Sequence, residues 1–154
     1  MLTYKSGNIL NDDADWLVNP VNCVGIMGAG LAKQFKNKYP DYYIDYKEVC
    51  SEFLTVGVVH LYPFYVDSFA KFFGGGIISF PTKKHWKDKS QLAWIKDGLE
   101  NIIKLTKINP WFKPNSIAFP KLGCGCGRLL WSDVEPLLIN FAEELQDVEV
   151  RIYV

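Results

Sequence analysis

Two glycine-rich segments carry the most legible chemistry in this chain of 154 residues. The first runs Asn19-Pro20-Val21-Asn22-Cys23-Val24-Gly25-Ile26-Met27-Gly28-Ala29-Gly30, and the second is Gly123-Cys124-Gly125-Cys126-Gly127. Glycine lets the backbone approach an anion closely and present successive N–H groups, and a helix opening just afterwards adds a favourable dipole. A tight strand–turn–helix junction explains one such loop as well as a phosphate does. Two such loops, each following a strand of buried composition, form a clamp that favours a phosphate-containing ligand, with a diphosphate as the natural guest. A dinucleotide fingerprint needs a small residue where Lys33 stands, and a P-loop needs Gly-Lys-Ser/Thr, which is absent.

The run Lys83-Lys84-His85-Trp86-Lys87-Asp88-Lys89 could contact phosphate and stack on a base, or be an exposed loop ahead of a helix. Asp88 interrupts it, and 17 basic residues balance 17 acidic ones, so any contact with single-stranded DNA is local. Cys124 and Cys126 suggest zinc, but only His60 and His85 are available to complete about four ligands, so no metal and no cofactor is expected. Cys23 reads as a core cysteine rather than a reactive thiol. No Ser–His–Asp set or carboxylate pair is legible. Trp131, Tyr42, Tyr43 and Tyr46 read as packing residues.

The elements that must position these groups alternate. Leu2–Lys5 and Trp16–Val21 read as strands, the second almost wholly apolar and so buried on both faces. Helices follow over Leu31–Tyr39 and from about Asp41 to Cys50, separated by Pro40. Val56–Val66 reads as a strand, and Phe69–Pro81 as another that Gly74-Gly75-Gly76 interrupts with a turn or bulge. Ser90 is the expected N-cap of a helix with Leu92, Ile95, Leu99, Ile102 and Ile103 at helical spacing. Ser116–Pro120 is a buried strand leading into the second glycine loop. A capping box of Ser132 and Glu135 opens a last helix with the stripe Val134, Leu137, Leu138, Phe141 and Leu145, and Val148–Val154 closes as a strand. This order predicts an α/β fold, a three-layer α/β/α sandwich on a mixed, largely parallel sheet. Its site lies beyond the strands' carboxyl ends, where both loops meet.

The length fits one domain over residues 1–154. No apolar run is long enough to cross a bilayer, the start lacks a signal-peptide core, and four cysteines form no disulfide framework. No membrane contact and a cytoplasmic location are therefore expected.

Several segments together resemble a macrodomain, the ADP-ribose-binding family. They are Gly7-Asn8-Ile9, then Val18-Asn19-Pro20-Val21-Asn22-Cys23 leading into Gly28-Ala29-Gly30. Phe80-Pro81-Thr82-Lys83-Lys84-His85-Trp86 and Pro120-Lys121-Leu122-Gly123-Cys124-Gly125 are similar to one branch of it. That branch holds terminal ADP-ribose glycohydrolases and the antitoxins that strip ADP-ribose from DNA. The resemblance spans essentially the whole chain, in order.

It implies a hydrolase that removes ADP-ribose from a modified macromolecule, DNA first. Asn8 and Ile9 would lie at the adenine, where macrodomains often carry an acid; an amide oxygen accepts the same bond without a charge. Asn22 would orient the distal ribose. Backbone amides of Gly28, Ala29, Gly30, Gly123, Cys124, Gly125, Cys126 and Gly127 would hold the diphosphate. Lys83 matches the branch's catalytic lysine, a nucleophile or proton carrier at the anomeric carbon, with Lys84 next in register. The aspartate that partners this lysine in one relative has no counterpart in Cys124-Gly125-Cys126-Gly127-Arg128. The alternatives are a phosphatase of ADP-ribose 1″-phosphate, a deacetylase of O-acetyl-ADP-ribose, and a non-catalytic ADP-ribose reader.

Overall fold

The computed structural model describes residues 1–154. In chain order the strands are β1 (Leu2–Lys5), β2 (Trp16–Val21), β3 (His60–Pro63), β4 (Val66–Asp67), β5 (Phe72–Phe73), β6 (Gly76–Pro81), β7 (Ser116–Phe119) and β8 (Glu149–Tyr153). The helices are α1 (Gly30–Lys38), α2 (Pro40–Glu52), α3 (Leu92–Ile108) and α4 (Trp131–Glu144), with a 3-10 turn at Ile9–Asn11. Six strands form one sheet in the order β1-β8-β7-β2-β6-β3, parallel throughout except for the antiparallel edge strand β3. The expected three-layer sandwich is thus observed.

The central strands explain the layering. β6 is buried at every position and β2 at all but Pro20, because helices cover both faces of the sheet. Val18, Ile78, Phe80, Ile117 and Phe119 pack with Ile95, Leu99, Ile102, Leu138 and Phe141 of α3 and α4. Leu17, Val21, Ile77 and Ala118 pack on the other face with Phe35, Tyr42, Tyr46 and Val49 of α1 and α2. Parallel β2, β6 and β7 therefore end together, and their carboxyl ends carry the first glycine loop, the Lys83 segment and the second glycine loop.

Several local expectations are corrected. Ser90 does not cap α3: Gln91 stands at the N-cap without a side-chain bond, and Ser90 is buried one residue earlier. Ser132 lies inside α4, whose N-cap is Leu130, and Glu135 accepts a hydrogen bond from the Tyr4 hydroxyl at 2.8 Å instead of closing a box. The strand expected over 56–66 is confined to β3, because residues 56–59 form a turn and the chain continues into the β4–β5 hairpin. The triple glycine leads out of that hairpin, and Gly76 opens β6 where a Cβ would stand 2.0 Å from the Tyr62 carbonyl oxygen. Tyr42 and Tyr46 are fully buried and Tyr43 is half-buried, as expected of packing residues. No helix is long and apolar enough to cross a membrane.

The sheet's β1–β8 edge is locked by Asp12, whose side chain is fully buried. Burial alone would raise its pKa. Hydrogen bonds from the Tyr153 hydroxyl, the Ala14 N–H, Arg151 and Lys5 outweigh this and lower it to about 2. A carboxylate depressed in the folded state contributes stability above its unfolded pKa of about 3.9, and that stability is lost as pH falls toward the folded value. Asp12→Asn is expected to cost about 2 kcal/mol at neutral pH, a cost that shrinks as pH falls from about 4 through 2, measured by urea denaturation across that range.

Candidate functional site

The first loop is held open from within. Asn22, 7% exposed, donates through Nδ2 to the Ile26 carbonyl at 2.8 Å. Its Oδ1 accepts from the Val24 and Ile26 N–H groups at 3.1 and 3.4 Å. The Tyr46 hydroxyl lies 2.8 Å from Asn22 Oδ1 and 2.9 Å from the Asn22 carbonyl. Burial pushes the Tyr46 phenol far above its ordinary pKa, so it stays a neutral donor. The Tyr43 hydroxyl donates to the Gly25 carbonyl at 3.2 Å. With the loop fixed in this way, the amides of Gly28, Ala29, Gly30 and Leu31 donate to nothing in the protein. They are the open end of α1.

The second loop uses its own turns. Cys124, Arg128 and Leu129 donate their N–H groups to the carbonyls of Lys121, Gly125 and Gly123 at 3.2, 3.1 and 2.9 Å. The amides of Gly125, Cys126 and Gly127 again find no acceptor in the protein. Gly123 has φ of +72°, and a Cβ on Gly127 would stand 2.2 Å from Ser90 Oγ, so both positions require glycine.

The loops face each other across a cleft of about 620 Å³. Asn22, Gly28, Ala29, Gly30, Lys83, Gly123, Gly125, Cys126 and Gly127 all line it, so the sequence-derived site is largely one surface. Cys124 is the exception: its thiol points to the Leu122 carbonyl at 3.5 Å, and it packs against the core beneath the loop. Burial raises its pKa, as it raises that of Cys23 to about 11. Neither sulfur is poised to react as a thiolate.

Asn8 and Ile9 line a second hollow of about 390 Å³ with Gly7, Gln34 and Tyr153. It shares Leu31 and Pro120 with the main cleft, so the two read as one elongated site. Asn8 Oδ1 already accepts from the Leu10 N–H at 3.0 Å, which leaves its amide nitrogen, 3.5 Å from Gln34 Oε1, as the more available group.

Lys83 is half-buried at the cleft wall, its Nζ donating to the Trp86 carbonyl at 3.0 Å. Lys84 is absent from the cleft lining, and its Nζ lies 5.7 Å from the centre of the Trp94 ring. Sequence reasoning missed Thr82, 4% exposed, and Lys121, both in the wall; each adjoins a motif that was legible. It also missed Tyr46, whose hydroxyl organises Asn22 from the interior and leaves no mark in local spacing. Among the lining residues the only charged groups are Lys83 and Lys121, and no carboxylate is present. No cluster of metal-ligating side chains exists.

The Macro domain family model matches residues 18–138, the stretch that carries both glycine loops and Lys83 and Lys121. The chain is a macrodomain. It is 42% identical over 154 residues to the DNA ADP-ribosyl glycohydrolase of Mycobacterium tuberculosis (strain ATCC 25618 / H37Rv), covering 99% of this chain and 42% of that protein. This macrodomain thus spans less than half the length of that relative. The solved macrodomain of Mycobacterium tuberculosis DarG superposes with a TM-score of 0.87 at 41% identity, covering 99% of this chain and 97% of that one. Thermosipho africanus DarTG in complex with ADP-ribose gives 0.85 at 34% identity, covering 99% and 41%.

The clamp makes a prediction that needs no knowledge of the reaction. A Cβ on Gly125 meets nothing within 4 Å, whereas one on Gly127 collides with Ser90 and the Gly123 carbonyl. Gly125→Val is expected to melt with wild-type macrodomain but to bind ADP about a hundredfold more weakly, because its bulk projects into the cleft where a diphosphate would meet the loop amides. Gly127→Ala is expected to lose thermal stability outright, as followed by calorimetric melting and titration.

Proposed function

We propose that this macrodomain is a hydrolase that cleaves the glycosidic bond between ADP-ribose and DNA. One observation carries the reading: Lys83 stands in a cleft whose remaining anion donors are backbone amides and Lys121, with no carboxylate to repel a diphosphate. The diphosphate would accept from the Gly28–Leu31 and Gly125–Gly127 amides, and adenine would occupy the hollow beside Asn8 and Ile9. The names of the relatives, a DNA ADP-ribosyl glycohydrolase and a protein held with ADP-ribose, support the same assignment.

Asn22 uses one amide hydrogen inside the loop and keeps the second for the distal ribose, which fixes the anomeric carbon beside Lys83. Lys83 acts there as nucleophile or proton carrier. Over the full reaction the glycosidic bond breaks with its electron pair leaving on the base. Water oxygen ends on the anomeric carbon, and a water proton ends on the leaving group. A lysine–aspartate pair has no place here, since the second loop supplies only glycines and cysteines between Gly123 and Gly127.

The nucleic acid would be a single strand running past the mouth of the cleft. Trp86 lines the cleft yet is 47% exposed, with the His85 ring 5.3 Å away and Lys87 Nζ 5.0 Å over its face. A base can stack on this platform while the lysines meet phosphates. The same reading places the chain in the cytoplasm in an antitoxin-like role, and its four unpaired cysteines suit a reducing compartment.

The decisive measurement is release of ADP-ribose from ADP-ribosylated single-stranded DNA. Lys83→Ala is expected to retain ADP-ribose binding and to lose about a hundredfold or more in turnover. Phosphate release from ADP-ribose 1″-phosphate with modified DNA left intact would select the phosphatase instead. Trp86→Ala is expected to raise KM for modified oligonucleotides about tenfold while leaving the affinity for free ADP-ribose unchanged, as stacking on one base would require.

A further inference from the structure

Ser90 joins the basic loop to α3 and is sealed beneath the second glycine loop. It is 6% exposed, and its hydroxyl has no hydrogen-bond partner. Its N–H donates to the Gly127 carbonyl at 3.0 Å, so the backbone here is already tied to the loop. An unpaired buried hydroxyl is destabilising, and packing alone would favour alanine at this position.

One acceptor is close at hand. The point that a Cβ on Gly127 would occupy lies 2.2 Å from Ser90 Oγ and 2.5 Å from the Gly123 carbonyl oxygen. Hydroxyl and carbonyl thus flank the same small space, which stays open because residue 127 is glycine. The Gly123 carbonyl accepts from the Leu129 N–H at 2.9 Å and has a second lone pair to offer. A small inward shift of the loop brings Ser90 Oγ to hydrogen-bond distance. The loop's other face carries the unpartnered amides of Gly125, Cys126 and Gly127, the groups through which an anion would move it.

Resting on the diphosphate reading above, we propose that Ser90 is a positioning residue for the second glycine loop. A diphosphate accepting from the loop amides draws the loop to where the Ser90 hydroxyl donates to the Gly123 carbonyl. That bond belongs to the bound arrangement alone. Ser90 touches no phosphate itself; it fixes the loop that does. Because Ser90 also ends the segment that begins at Lys83, the bond ties capture of the phosphates to the loop bearing the lysine.

The test compares thermal melting with ADP-ribose titration for wild type, Ser90→Ala and Ser90→Cys in the full chain. The alanine variant is expected to melt at or above the wild-type temperature and yet to bind ADP-ribose about tenfold more weakly. The cysteine variant refills the site with a weak donor and should also bind more weakly without melting earlier. On saturation with ADP-ribose, exchange of the Leu129 and Gly125–Gly127 amides should slow more in wild type than in either variant. Unchanged affinity in the alanine variant, beside a wild type that binds, overturns this inference alone. Parallel loss of stability and affinity in both variants also overturns it, since that is what a packing role produces. A wild type that does not bind ADP-ribose overturns the diphosphate reading and this inference with it.

Discussion

Two hydrogen bonds carry the β2–β6 ladder past the last residue of either strand: Thr82 N–H to the Val21 carbonyl at 2.9 Å, and Cys23 N–H to the Lys84 carbonyl at 3.0 Å. Parallel pairing normally stops where loops diverge. Here it persists long enough to place Asn22 and Lys83 alongside one another, on segments that lie some sixty residues apart in sequence. Everything chemical about the cleft depends on that extension. If the first loop peeled away after Val21, the lysine would lose its partner wall and the amides of α1 would face solvent instead of the second loop.

A polar seam under the first loop secures the arrangement. The Tyr42 hydroxyl lies 2.6 Å from Ser79 Oγ and accepts from Asn19 Nδ2 at 3.1 Å, all three residues being fully buried. Tyr46, one helical turn further on, donates instead to Asn22. Two tyrosines of α2 thus reach through the apolar layer to the two asparagines of β2 and its loop. Buried polar groups of this kind are costly unless paired, and their pairing admits one register of helix against strand. The helix is placed by hydrogen bonds as much as by hydrophobic contact.

This seam marks the boundary of what the amino-acid sequence discloses. The apolar runs of β2, β6 and β7 and the periodic stripes of α3 and α4 are one-dimensional signals, and they give the layers and the sheet correctly. Glycine-rich loops after buried strands also announce where the cleft opens, and at Gly123 and Gly127 the geometry admits little else. Cap residues were less legible: Ser90 and Ser132 have the right type for N-caps, yet tertiary packing claims the first and the N-cap of α4 falls two residues earlier than the second, at Leu130. The inward turn of Cys124 and the grip of Tyr46 on Asn22 depend on distances between segments, which no local pattern encodes. Tyr46 looks from its spacing like any other packed aromatic.

A cleft lined by unpartnered main-chain amides has an unusual relation to heredity. The donors are the same atoms for every residue but proline, and they do not titrate near neutral pH. Drift here acts through added bulk: a Cβ on Gly127 collides with Ser90, whereas one on Gly125 meets no protein atom and projects into open space. The side chains at the rim, by contrast, are free to vary. Asn8, Lys83 and Trp86 supply none of these main-chain donors, so exchanging any one of them leaves the row of amides in place.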